Sequence, residues 1–109
     1  MKMIGGNAFG VLQRKTVVNN DIGETIENWT GAITILGWLD LSSGDSHTSV
    51  YDRKVQESTH IFLCDYLDLS DYDPDNCRMV IDNRNYEVKL IDDPMGLHQH
   101  IEMYLKYVG

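Results

Sequence analysis

Cations are scarce in this chain. Lys and Arg total 9 against 17 Asp and Glu, for a net charge of −8. That balance excludes a surface built to grip nucleic acid, because such binding rests on neutralising phosphates with basic side chains. It is compatible with a wall past which DNA slides without adhering. Cysteine is scarcer still. Cys64 and Cys77 are too few for a disulfide framework, and in an intracellular chain they read as two reduced thiols. No apolar run approaches the roughly 20 residues of a membrane span. The opening MKMIGGNAFG lacks the ~7–15-residue apolar centre of a secretory signal. The expectation is therefore a protein made and used in a cytoplasm, in which the Asn28-Trp29-Thr30 sequon carries no glycan.

What remains is ordinary globular composition, 42% hydrophobic and 24% charged over 109 residues. That predicts one domain spanning 1–109 with a modest core. Residues 1–8 read as a flexible arm. Phe9–Val18 alternates imperfectly and runs into Asn19-Asn20-Asp21-Ile22-Gly23, a turn by its chemistry. Gly31–Leu41, GAITILGWLDL, is apolar on both parities near its middle and reads as a strand covered on both faces. Residues 42–57 begin as a polar loop and offer only Val50, Tyr51 and Val55 as apolar surface. So long an insertion without clear structure is uncommon in a compact domain and is often functional. Ser58–Tyr66, STHIFLCDY, is a further strand, followed by a polar connection, LDLSDYDPDN.

The stretch 78–94, RMVIDNRNYEVKLIDDP, has the period of a half-buried antiparallel pair. Met79 and Ile81 share one face and Val80 takes the other. In the partner strand Tyr86, Val88 and Leu90 oppose Glu87 and Lys89, and Asp82–Asn85 supplies the turn. The final run, MGLHQHIEMYLKYVG, fits two periods. As a strand it lines up Ile101, Met103, Leu105 and Tyr107; as a helix it lines up Leu97, Ile101, Tyr104, Leu105 and Val108. The strand reading extends the preceding meander. About six strands with one long insertion predict an all-β fold, a small antiparallel β-barrel, with two packed sheets as the other way to bury such strands.

Candidate chemistry is thin. His98 and His100 would share one side of a strand, but no Cys-x-x-Cys or His-Glu-x-x-His pattern accompanies them. Asp71-Tyr-Asp-Pro-Asp-Asn76 opens like a calcium loop. It then fails, with Asn76 where the turn needs Gly and Asp82 where the bidentate Glu belongs. There is no Gly-x-Ser-x-Gly elbow and no Gly-rich phosphate loop. Cys64 sits in an apolar run, where a thiol is packing rather than nucleophile. Trp29 and Trp38 read as core or strand-edge residues. The expectation is a chain that is not an enzyme, has no catalytic residue and holds no metal or cofactor.

The order of elements carries a resemblance. A first strand ending in LQRKT leads through a Gly-containing turn to a Trp. An apolar strand, a long insertion, STHIFLCDY, and then RMVIDNRNYEVKLIDDP with a final apolar strand follow. This resembles the head–tail joining proteins of tailed bacteriophages, the small head-completion or head-closure (stopper) family, from about Gln13 to Val108. The matching positions are Thr59, His60, Tyr66, Arg78 and Tyr86. Acidity between Asp65 and Asp75, and Gly-Trp-Leu where the family more often has Trp-Ala, are departures that leave the position within the connector open.

The resemblance implies a β-barrel assembling as a homo-oligomeric ring of six or twelve copies in the virion neck. The ring would lie between portal and adaptor proteins on the head side and a tail-terminator or tail tube protein on the other, after assembly in the host cytoplasm. It would help retain packaged DNA, with passing contact only. It also implies that the insertion projects into the channel, which places Ser43, Gly44, Asp45, His47, Tyr51, Asp52, Arg53 and Lys54 on the gating loop. A neighbouring adaptor or tail-terminator subunit, and a small metal- or ligand-binding β-barrel module, are the alternative readings.

Overall fold

The computed structural model describes residues 4–41 and 57–109. Six antiparallel strands form a closed barrel: β1 (Ala8–Asn19), β2 (Thr25–Leu41), β3 (His60–Asp65), β4 (Cys77–Ile81), β5 (Arg84–Asp92) and β6 (His100–Tyr107). Neighbours around the barrel run β1-β2-β3-β6-β5-β4, and β4 closes onto β1. Two short 3-10 turns, Pro74–Asn76 and Pro94–Gly96, complete the regular structure among the described residues.

Closure follows from the period of two. Leu12, Ile35, Phe62, Cys64, Met79, Ile81, Tyr86, Val88, Ile101, Met103 and Leu105 all point inward and are buried. Closure also removes the sheet edges that an open antiparallel array would expose. The β4–β5 hairpin turns on Asp82 and Asn83 alone, with φ of 51° and 62°. This is the primed two-residue turn whose twist matches its strands. The final run is a strand, with Ile101, Met103 and Leu105 in the core and Tyr107 half-exposed.

Four expectations are corrected. First, β2 is not covered on both faces. Ile35 and Gly37 are buried, while Leu36 and Trp38 stand on the outside of the barrel, more than two-fifths exposed. Second, the predicted alternation of β5 breaks at a bulge between Val88 and Leu90. The extra residue shifts the pleat, so Ile91 rather than Leu90 packs on the core.

Third, the connection after β3 is not simply polar. β3 and β4 are not neighbours, so residues 66–76 cross the end of the barrel. Leu69 is buried there, and Leu67 and Tyr72 pack against the core. Fourth, residues 4–7 of the arm are tied down. The Ile4 amide donates to Asp65 Oδ1 (2.9 Å), the Asn7 amide donates to the Gly37 carbonyl (2.9 Å), and Asn7 Oδ1 accepts from the Leu39 amide (3.0 Å).

Candidate functional site

The longest strands in the chain outrun the barrel. β2 begins at Thr25, six residues before the predicted Gly31, and pairs with β1 out to Asn19↔Thr25. β4 supports β1 only over Gly10–Arg14, and β3 supports β2 only over Gly37–Leu41. Beyond Arg14 and Thr30 the two strands therefore continue as a ribbon with no third strand among the described residues. The molecule measures 50 Å along its longest axis against 33 and 27 Å across.

The root of the ribbon is built as a joint. β2 bulges there, with Gly31 and Ala32 opposing the single Gln13 of β1, and Gly31 has a φ of +61°. A side chain at Gly31 would collide with the Arg14 guanidinium at 2.8 Å. That guanidinium lies over the Tyr72 ring, 5.0 Å from its centroid, and the Tyr72 hydroxyl donates to the Gly31 carbonyl. The segment that caps the barrel thus also clamps the ribbon.

The tip is preformed. Asn20 Oδ1 accepts from the amides of Ile22 (3.1 Å) and Glu24 (2.8 Å), and the Asn20 amide donates to the Glu24 carbonyl (2.9 Å). This is the Asx-turn chemistry expected of the sequence. It holds Ile22 out into solvent at 77% exposure, and Val17, Val18 and Ile26 are also exposed along the ribbon.

A groove of about 590 Å³ opens beside the root. Its walls come from the ribbon (Lys15, Trp29), from β4 and β5 (Arg78, Tyr86, Val88) and from the C-terminal Val108. Arg78 dominates it. Its Nε donates to Gln13 Oε1 at 2.7 Å, and its guanidinium stacks on Trp29 with the carbon 4.2 Å from the ring centroid. No carboxylate pairs with it among the described residues. Lys89, by contrast, reaches both Glu57 (3.7 Å) and Glu87 (3.1 Å), and Lys15 reaches Glu27 (3.8 Å). A second apolar patch lies on the barrel wall, where Phe9 (65% exposed) pairs with Leu36 next to Trp38. The Trp38 indole Nε1 donates to the Ile4 carbonyl at 2.7 Å.

The motif positions divide. Thr59, His60 and Tyr86 come together. Thr59 Oγ1 lies 2.8 Å from His60 Nδ1 and accepts the Tyr107 amide at 2.8 Å, while the His60 ring meets Tyr86 edge-on at 5.2 Å. Tyr66 stands apart, its ring 4.6 Å from that of His98. Arg78 belongs to the groove. The Thr59 and His60 contacts reach Tyr107 on β6 and Tyr86 on β5. The residues Ser43, Gly44, Asp45, His47, Tyr51, Asp52, Arg53 and Lys54 lie outside the described residues. The ends of that insertion are placed, however: Leu41 and His60 are directly paired across β2 and β3.

The other candidates make local contacts. His98 sits outside β6 at φ 55° and pairs with Asp93, while His100 pairs with Glu102 at 3.3 Å, so the two histidines do not converge. No group of three metal-ligating side chains occurs among the described residues. Asp73, in the calcium-like stretch, instead accepts the Asp75 amide and caps a 3-10 turn. The Ser70 amide and hydroxyl hold exposed Asp68 below the usual carboxylate range. Both thiols are free and buried. Burial, with the Asp65 charge behind it, pushes Cys64 up to about 12. Burial and Asp73 raise Cys77, against a smaller opposing pull from Arg14.

Sequence reasoning missed the ribbon and the groove. The available signal was Thr, Val and Ile on both sides of the Asn20–Gly23 turn with no single apolar parity, the mark of a hairpin without a core to face.

No protein-family model matches the sequence, and no curated protein matches it. The fold does have a counterpart. The barrel is similar to a chain in a solved structure described as the virion of native gene transfer agent (GTA) particle. The TM-score is 0.59 and the sequence identity 12%, with 99% of this chain and 97% of that chain covered. At that identity the likeness is one of fold.

Proposed function

We propose that this chain is a non-enzymatic structural subunit of a tailed, phage-like particle: a head-closure protein that forms a ring between the portal–adaptor complex and the tail. The observation that carries the reading is the likeness of its fold, over 99% of this chain and 97% of that chain, to a chain of the GTA virion. It agrees with the element order from Gln13 to Val108 that resembles the head-closure family. The surface also suits an assembly part. Apolar side chains stand exposed at two separate places, the ribbon and the wall around Phe9.

In this reading residues 42–57 serve as the channel loop. Strand ends as close as Leu41 and His60 need only roughly 2–5 residues to join them, so the remaining length is available for another purpose. Identical subunits joined head-to-tail close into a ring when the rotation allows, and their insertions then meet at the axis. A net charge of −8 per subunit keeps DNA from adhering to the lining. Asp45 and Asp52 would contribute to that lining, and Arg53 and Lys54 would temper it.

The test is deletion of residues 44–54. Residues 42–43 and 55–59 still bridge the paired strand ends, so the barrel folds. Particles carrying the deletion should assemble necks but leak packaged DNA. Full DNA retention and infectivity would end the gating role, and images of portal–adaptor particles with no added ring would end the head-closure assignment.

A further inference from the structure

The ribbon tip and the groove at its root are complementary, and they lie on different parts of the same chain. The tip projects Ile22 between two carboxylates, Asp21 and Glu24, neither of which has an ion-pair partner among the described residues. The groove offers apolar walls from Trp29, Val88 and Val108 and, among three cations and three carboxylates, a guanidinium at Arg78 that no carboxylate pairs with among the described residues; Lys15 and Lys89 are already paired, and Asp75 also lines it. Its Nε is committed to Gln13 and its face to Trp29, and its terminal nitrogens have no carboxylate partner among the described residues. Both halves are preformed, the tip by Asn20 and the groove by the Arg78–Trp29 stack. Docking therefore orders little that is not already ordered.

We propose that the ribbon tip of one copy seats in the Arg78 groove of the next, with Ile22 against Trp29 and Val108 and an Asp21 or Glu24 carboxylate on the guanidinium. The inference rests on the ring reading and names the contact that builds the ring. Tip and groove are different surfaces, so the contact is heterologous and propagates from copy to copy, as ring closure requires. A two-fold dimer would need one self-complementary patch instead. The tip, Asn20–Glu24, is far smaller than the ~20–30 residues per side of a stable interface. A free subunit therefore stays monomeric, and the contact accumulates only where a template gathers many copies.

The experiment places cysteines at Ile22 and Val108 of one chain, both exposed positions. The native thiols are buried and raised, so they do not compete. Particles assembled with this chain are oxidised, denatured and run without reductant. The expected result is a ladder of covalently linked copies, absent from each single-cysteine variant. Arg78→Glu should reduce the ladder at least tenfold, and Asp21→Arg with Glu24→Arg in the same chain should restore it. A neck ring visible in images with no ladder overturns this contact and leaves the ring reading standing. A ladder with no neck ring keeps the contact and overturns the neck assignment. Adducts to a different virion protein through position 22 overturn the choice of a second copy as the partner.

Discussion

Gly37→Ala is a small change at a crowded point of the barrel. Gly37 pairs with Ala8 on one side and Cys64 on the other, and its carbonyl also accepts the Asn7 amide. A methyl group there would lie 2.5 Å from the Leu63 carbonyl oxygen and 2.5 Å from the Phe62 ring. The carbonyl belongs to the β2–β3 ladder and the ring is fully buried, so neither can step aside. Overpacking of this kind costs about 1–3 kcal/mol. For a domain of this size each kcal/mol moves the melting temperature by roughly 4 °C, so Gly37→Ala should melt roughly 4–12 °C lower.

Gly10→Ala provides the control. The nearest obstacle there is the Met79 sulfur at 2.6 Å, on a flexible thioether chain that can rearrange. Its loss should be the smaller of the two. Thermal unfolding followed by circular dichroism on the three proteins decides the matter. A Gly37→Ala protein melting within about 1 °C of the parent, or above Gly10→Ala, would refute the packing argument and the β2–β3 register on which it rests.

Ribbon substitutions should behave in the opposite way: Ile22→Asp and Val18→Thr touch nothing in the barrel, so unfolding free energy should stay within about 0.5 kcal/mol of the parent in urea titrations. At the β4–β5 turn, Asn83→Ala should cost about 1–2 kcal/mol because alanine resists φ of +62°, whereas Asn83→Gly should be neutral or stabilising. Thr59→Val removes the acceptor for the Tyr107 amide and should cost about 1 kcal/mol, with Thr59→Ser close to the parent. Cys64 should resist thiol reagents at pH 8 until the chain unfolds. Because its folded value is raised from 9.0 to about 12, the unfolded chain loses the proton first. Its contribution to stability is therefore intact below pH 9 and declines as pH rises through 9 to 12, a trend that Cys64→Ala should flatten in alkaline urea titrations.

The parts of this fold legible in the sequence are those where one face meets a core. The 78–94 hairpin announces itself because Met79, Ile81, Tyr86 and Val88 keep a strict period of two around a polar turn. The final strand declares itself, despite an equally good helical pattern, once it is required to continue a meander. Bulges defeat the same logic: one extra residue at Lys89 exchanges Leu90 for Ile91, and nothing in the local composition marks the slip. The ribbon was illegible for a related reason, since a hairpin with solvent on both faces leaves no alternation to read. The groove draws Trp29, Arg78, Val88 and Val108 from four separate parts of the chain, a convergence that only barrel closure creates. Of the motif residues, Thr59, His60 and Tyr86 do meet, in contacts that reach β5 and β6. Leu69 shows the converse error, a core residue hidden in a segment whose aspartates make it read as a polar connection.

The central claim is that copies of this barrel form a ring in the neck of a tailed particle, with the 42–57 insertion directed to its axis. A cryo-electron-microscopy reconstruction of the neck of particles containing this chain tests it most directly. The account predicts a closed ring of these barrels below the portal–adaptor complex, with the insertions lining or closing the channel. Barrels placed elsewhere in the particle, or a ring carrying residues 42–57 on its outer perimeter, would contradict it.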